Sequence, residues 1–250
     1  NTIAAGGSTS VQPLFESFIE EYSARNSKVT VTYDGQGSSK GIEGINNGIY
    51  EIGALSRELK DEEKADDITE HVVAIDGIAV VINPANKVKD LTMDQVRDIY
   101  TGKITNWNQV GGANEEISVV SRDSASGTRE AFEDIVKFGK GDEDKPMTTK
   151  AIEFNSNGGV AESVKNNTAA IGYISFETLH AQGDKVASVK INGFAPTEEN
   201  CVNNKYKIKR PFLLVYKEDK ISEITKTFIK WITINQDEMA KDAGFIPVGK

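Results

Sequence analysis

Cysteine is nearly absent: Cys201 is the only one in 250 residues. A lone thiol excludes an internal disulfide framework and any CxxC-type zinc site. Histidine is scarce too. His71 and His180 are the two present, which leaves little for an imidazole-built metal centre. Positive charge is short, with 29 Lys and Arg against 38 Asp and Glu and a net charge of −9. That sign speaks against nucleic acid and against an anionic membrane as direct partners. No apolar run nears the roughly 18 residues of a transmembrane helix. Motifs are missing as well. The P-loop pattern G-x-x-x-x-G-K-[ST] and the hydrolase elbow G-x-S-x-G do not occur. Gly35-Gln36-Gly37 followed by Gly41 misses G-x-G-x-x-G by one residue. Asp142-Glu143-Asp144 lacks the alternating ligands, central Gly and closing Glu of an EF-hand.

What is present is an ordinary globular composition, 38% hydrophobic and 27% charged, on a chain long enough for one or two domains. Apolar stretches alternate between two periods. Val29–Tyr33 alternates as a half-buried strand does, and Gly77–Ile82 is a continuous apolar run, as in a strand covered on both faces. Ile117–Val120, Ala169–Tyr173 and Phe212–Tyr216 are similar short runs. Between them Leu14, Phe15, Phe18, Ile19 and Tyr22 recur at helical spacing, as do Met93, Val96 and Tyr100, and Ile221, Ile224, Phe228 and Ile232. Strand–helix alternation on this scale predicts an α/β fold with largely parallel sheets. Asn83-Pro84 ends a strand and is a place for the chain to leave one domain, with Lys209-Arg210-Pro211 as the return. The expected division is residues 1–82 plus 209–250 in lobe I and 83–208 in lobe II.

Three loops share one design. Gly6-Gly7-Ser8-Thr9-Ser10 precedes a helix that starts near Val11, with Pro13 in its first turn. Gly35-Gln36-Gly37-Ser38-Ser39 precedes a short helix with Ile42 and Ile45. Ser124-Ala125-Ser126-Gly127-Thr128 precedes a helix through Ala131, Phe132 and Ile135. Each is a strand, a loop of small and hydroxyl residues, then a helix N-terminus. Any one Ser or Thr at such a place is by itself an N-cap. Three together are suited to an oxyanion. Unpaired N–H groups and a partial positive charge sit at each end, and open α/β sheets take ligands at the carboxyl ends of their strands. Arg122, four residues before Ser126, can reach the same anion and bind it bidentately.

Gly7-Ser8-Thr9-Ser10-Val11, Gly37-Ser38-Ser39 and Arg122-Asp123-Ser124-Ala125-Ser126-Gly127-Thr128 together resemble the PstS family, the phosphate-binding proteins of bacterial ABC phosphate importers. Ala74-Ile75-Asp76-Gly77, Ile99–Trp107 and Ala170-Ile171-Gly172-Tyr173 agree with it and follow in the family's order. The resemblance implies a two-lobed periplasmic-binding-protein-like fold (type II) with a ligand cleft between the lobes, which close on phosphate. It implies ligands at Ser8, Thr9, Ser10 and Ser38 from the first lobe and at Arg122, Ser126, Gly127 and Thr128 from the second. It also implies a monomeric, extracytoplasmic binding protein that delivers inorganic phosphate to the membrane permease of an ABC importer, with no cofactor and no catalysis. The chain begins at Asn1 without Met and reads as a processed or truncated product. A removed N-terminal segment would then have provided a lipid anchor, or the protein is periplasmic.

Many family members carry a carboxylate after the second loop's helix, where it accepts the proton of hydrogen phosphate. The matching stretch here is Gly53-Ala54-Leu55-Ser56-Arg57. Ser56 stands at that place and can donate or accept, and Arg57 adds charge or pairs with a neighbouring acid such as Glu58. Asp76 is the alternative proton acceptor, unless it only pairs with Arg57 or caps a turn. A serine phosphatase or acyl-transfer enzyme needs a base as well as an oxyanion cradle. Neither His71 nor His180 neighbours a nucleophile motif, so a binding protein is the favoured class. Sulfate, molybdate and tungstate are the competing anions.

Overall fold

The computed structural model describes residues 1–249. The chain forms two compact units, Asn1–Asp76 with Arg210–Lys250, and Gly77–Lys209. In chain order the first segment holds β1 (Thr2–Gly7), α1 (Gln12–Arg25), β2 (Thr30–Gly35), α2 (Ser38–Asn46) and β3 (Ile52–Leu55), and it enters β4 (Thr69–Ile82). The second unit continues β4 and adds β5 (Asp90–Leu91), α3 (Met93–Tyr100), β6 (Ser118–Arg122), α4 (Gly127–Val136) and β7 (Ile152–Phe154). It goes on through α5 (Asn157–Lys165), β8 (Ala170–Ser175), α6 (Phe176–Gln182), β9 (Ala187–Ser188), β10 (Lys190–Ile191) and α7 (Glu198–Val202). The chain returns to the first unit through β11 (Lys209–Tyr216) and ends in α8 (Glu223–Asp242).

The alternation of elements gives the α/β class that the periodicity predicts, but the sheets are mixed rather than largely parallel. In the first unit the order is β2-β1-β3-β11-β4. β1 runs parallel to β2 and β3, whereas β11 is antiparallel to β3. In the second unit β6 is parallel to β7 and β8, while β4 is antiparallel to β8 and β9. The reversed strands are the ones at which the chain passes between units, at Asp76–Gly77 and Lys209–Arg210. Such strands enter a sheet with no helical crossover from a neighbour, so the βαβ handedness rule does not set their direction.

Each unit has its own core. In the first, Leu14, Phe15, Phe18 and Tyr22 line one face of α1, the helical spacing seen in the sequence. They meet Phe228 of α8: the Phe15 and Phe228 ring centroids are 5.9 Å apart and those of Tyr22 and Phe228 are 4.8 Å apart. In the second, Phe132 of α4 stacks on Tyr173 of β8 at 4.0 Å, and Tyr100 of α3 lies 5.1 Å from Phe132. The buried Tyr100 hydroxyl donates to the Val120 carbonyl at 2.9 Å, so even this packed ring satisfies its polar end. Cys201 is fully buried, and burial pushes its thiol up to about 12, which leaves it a packing residue rather than a nucleophile.

Where the chain leaves and re-enters the first unit, Arg210 Nε donates to Asp76 Oδ2 at 3.1 Å. Both side chains are mostly buried, with 12% and 15% exposure. Burial raises the Asp76 carboxyl above the usual carboxylate range, and Arg210 partly offsets that rise. Truncating Arg210→Ala strands the carboxylate, a change that costs about 3–5 kcal/mol. The lost guanidinium leaves burial unopposed, so the carboxyl of the variant moves further up. A carboxyl raised in the folded state weighs least against folding when protonated. The urea-unfolding deficit of Arg210→Ala is therefore expected to be larger near about pH 8 than near about pH 5. An equal deficit at both would contradict a stranded charge.

Candidate functional site

In the first unit the parallel register aligns the carboxyl ends of three strands. Gly7 sits opposite Gly35 of β2 and Ala54 of β3. A Cβ on Gly7 would fall 2.2 Å from the Ala54 carbonyl oxygen, and its φ of +136° also favours glycine. The Gly7 carbonyl accepts the N–H groups of Gln36 at 2.9 Å and Gly37 at 2.7 Å, and the Ser8 N–H donates to Ala54 O at 2.8 Å. The first two hydroxyl loops and the end of β3 are thus bound to one another by backbone.

Ser8 is buried, and its Oγ accepts the N–H groups of Ser10 at 3.1 Å and Val11 at 3.3 Å. It shapes the turn into α1 while its own hydroxyl proton remains to be donated. Thr9 is exposed and Ser10 half-buried. Gly37 opens α2 with a φ of 106°, and no side chain caps that helix. The N–H groups of Lys40 and Gly41 return to the Gly37 carbonyl, and those of Ser38 and Ser39 are left for another acceptor. Ser38 Oγ accepts the Ser56 N–H at 3.1 Å and lies 3.3 Å from Ser56 Oγ. The structure thus brings Ser38 and Ser56 together.

Arg57 and Asp76 are held elsewhere. Arg57 donates from Nη1 and Nη2 to Glu63 at 2.6 and 3.1 Å, and to Ser39 Oγ at 3.3 Å. The hydrogen bonds from Arg57 hold the Glu63 carboxyl below its ordinary value despite partial burial. Arg57 is therefore a paired cation, its partner Glu63 rather than the adjacent Glu58. Asp76 is engaged by Arg210, as described above, and not by Arg57, which Glu63 occupies. Among the described residues no hydrogen bond joins it to a loop hydroxyl. His71, one of the two histidines, is buried with its Nε2 2.6 Å from Gln236 Oε1 of α8. His180 stands on α6 against Phe176.

In the second unit Arg122 is the last residue of β6. A tight turn follows, in which Asp123 accepts the N–H groups of Ala125 at 3.1 Å and Ser126 at 3.2 Å. The buried Ser126 Oγ accepts the Arg129 N–H at 3.1 Å and caps α4, whose first two residues are Gly127 and Thr128. The Arg122 guanidinium reaches the Asn155 carbonyl through Nη2 at 3.4 Å. Its Nε is buried with no hydrogen-bond partner. No ion pair with Arg122 occurs among the described residues. A buried guanidinium N–H without an acceptor is costly.

Sequence reading missed a fourth loop of the same kind. β7 ends at Phe154, Ser156 Oγ accepts the Gly159 N–H at 2.9 Å, and α5 begins at Asn157. The small polar run Asn155-Ser156-Asn157-Gly158-Gly159 was the available signal. No group of three or more His, Cys, Asp or Glu able to hold a metal ion occurs among the described residues.

Comparison with known proteins follows the same direction. Residues 1–236 match the model of the PBP superfamily domain. The phosphate-binding protein PstS of Borreliella burgdorferi is 33% identical over 98% of this chain and 90% of its own length. The Bacillus subtilis protein of the same name is 30% identical over 99% of this chain and 81% of its own length. The chain belongs to the PstS family. Among solved structures, an ABC-type phosphate transport receptor from Vibrio cholerae superposes with a TM-score of 0.92 at 33% identity, covering 98% of this chain and 99% of that one. A Clostridium perfringens chain described as a phosphate ABC transporter substrate-binding protein, solved with bound phosphate, is 41% identical. Its TM-score is 0.70, and the match covers 99% of this chain and 100% of that one. The fold is therefore the two-lobed α/β fold of periplasmic phosphate-binding proteins.

The capping role of Ser126 can be tested by itself. Ser126→Ala is expected to lower unfolding stability by about 1 kcal/mol, whereas Ser126→Asp, an equally good cap, should leave it nearly unchanged. Chemical denaturation checks this, and equal losses for both variants would remove Ser126 from the cap.

Proposed function

We propose that this chain binds inorganic phosphate and hands it to the membrane permease of an ABC importer. One observation carries the reading. The Arg122 guanidinium is partly buried and unpaired by acid, and its residue ends β6, from which a tight turn leads into the capped N-terminus of α4. Its unsatisfied Nε and the N–H groups of Gly127 and Thr128 call for a compact oxyanion. The donors of the first unit, on Ser8, Thr9, Ser10, Ser38 and Ser56, have the same chemistry and are proposed to serve the same ligand. Membership of the PstS family supports the choice of phosphate. Ser56, tied to Ser38, is proposed as the hydroxyl that accepts the proton of hydrogen phosphate, since Asp76 has Arg210.

The protein works outside the cytoplasmic membrane in this reading, as a monomer, at the outer face through a lipid anchor or free in a periplasm. Fractionation and size-exclusion chromatography read these out. No helix of the described residues is long and apolar enough to cross a membrane.

Calorimetric titration with phosphate, with sulfate as the control, is the direct test. Arg122→Ala is expected to weaken phosphate binding by well over tenfold with folding intact, as loss of one partner of a buried charge contact costs roughly 2–5 kcal/mol. Ser38→Ala, in the other unit, should weaken the same equilibrium by several-fold, about the worth of one hydrogen bond to a charged group. Wild-type affinity in both variants would refute the site.

The net charge of −9 makes a further demand. Surface charges beyond about 8–10 Å are screened at physiological salt, whereas dipoles and a guanidinium at contact are not. Phosphate affinity is expected to change little between low and physiological salt. A steep fall would indicate a diffuse electrostatic site instead.

A further inference from the structure

Arg122 pairs with Phe154 of β7 on one edge of β6, and side chains hold its backbone on the other. The β6–β8 ladder is registered at Ser118 and Val119, so the β8-facing backbone of Arg122 needs other partners. The Tyr173 hydroxyl accepts its N–H at 3.1 Å and lies 2.8 Å from Ser121 Oγ. Arg129 Nη1 donates to its carbonyl at 3.0 Å. The same nitrogen reaches Glu153 Oε1 of β7 at 2.9 Å, and Arg129 Nε reaches Glu133 Oε1 of α4 at 2.8 Å. Glu133 is buried, and its other oxygen accepts the Lys140 N–H at 3.0 Å. The guanidinium of Arg129 is thus fixed by two carboxylates on two elements, and its remaining reach ends on the backbone of Arg122.

Its own N–H goes to Ser126 Oγ. One residue therefore ties the end of β6 to the first turn of α4, the two pieces that present donors to the ligand. We infer that Arg129 is a positioning residue for phosphate binding: it aims Arg122 by holding the Arg122 carbonyl, with Tyr173 holding the N–H of the same residue. The inference rests on the phosphate reading above and adds a residue that touches no ligand. A planar fork with donors in fixed directions suits this task, and a lysine, a point charge on a flexible stem, does not.

The test is a double-mutant cycle on the full chain, read by phosphate calorimetry, with thermal melting as the folding control. Arg129→Lys keeps a cation beside buried Glu133 but loses the fork. It is expected to weaken phosphate binding by about five- to tenfold in the wild-type background and by less than about twofold in Arg122→Ala. Tyr173→Phe keeps the ring on Phe132 and removes the hydroxyl. It should show the same pattern, so the proposal stays testable if Arg129→Lys folds poorly. A loss that is equal in both backgrounds means that Arg129 contacts the anion or merely supports the fold, and overturns the proposal. So does wild-type affinity in Arg129→Lys. If the unsubstituted protein fails to bind phosphate at all, the reading beneath falls and this inference falls with it.

Discussion

A helix that follows a strand directly must begin with N–H groups that the helix itself cannot satisfy. In this chain that constraint recurs at one edge of each sheet. β1, β2 and β6 each run into a small, hydroxyl-bearing loop and then into α1, α2 or α4. Parallel pairing places the ends of β1, β2 and β3 side by side, and those of β6 and β7 likewise. Side chains settle part of the debt: Ser8 and Ser126 cap their turns. α2, opened by Gly37, has no side-chain cap. The arrangement collects donors and almost no acceptors, which is the chemistry of an anion site before any charge is added.

Arg122 adds the charge, and its energetics decide what kind of site this is. Its Nε is shielded from water without a partner in the protein. Contrast Arg57, clamped by Glu63, and Arg210, paired with Asp76. Four arginines sit near candidate positions, and Arg57, Arg129 and Arg210 are neutralised by carboxylates of the chain. Arg122 is left for something else. Leaving a guanidinium unpaired costs stability in the free protein, and that cost becomes affinity when an anion supplies the missing acceptor.

Much of this was legible in the sequence because it depends on local rules. Glycine–hydroxyl clusters before helical patterns mark strand–loop–helix steps, and all three lie where the pattern put them. Arg122 was legible from its spacing to Ser126. The rest depends on distance along the chain. Arg210 meets Asp76 across 134 residues and Glu51 reaches Ser222 across 171, and neither pairing has a local signature. The choice of Glu63 over Glu58 by Arg57 turns on a short helical turn that folds the carboxylate back. The mixed strand directions were hidden for a related reason. β4 and β11 read as apolar strands whichever way they run, and only their neighbours fix the direction. The Asn155–Gly159 loop was passed over because its strand, β7, has only three residues, none of them buried, and gives almost no periodic signal.

The acidic surface and the anion site are compatible because they act over different distances. A net charge of −9 spread over the surface produces a field that salt damps within about 8–10 Å. The donors at the loops act at contact, where no ions intervene and the local dielectric is low. Selectivity then follows from the same geometry. On the proposed reading nearly every group offered to the ligand donates, so the anion must bring acceptors to satisfy them, and a tetrahedral oxyanion does. The exception is the Ser38–Ser56 hydroxyl pair, 3.3 Å apart, whose oxygens can also accept. A hydroxyl lets a protonated ligand oxygen bind without demanding that it be protonated. A carboxylate at that place would demand it. On the proposed reading, discrimination between hydrogen phosphate and a fully ionised anion of the same shape rests on how those two hydroxyls orient, which is a softer criterion than charge repulsion.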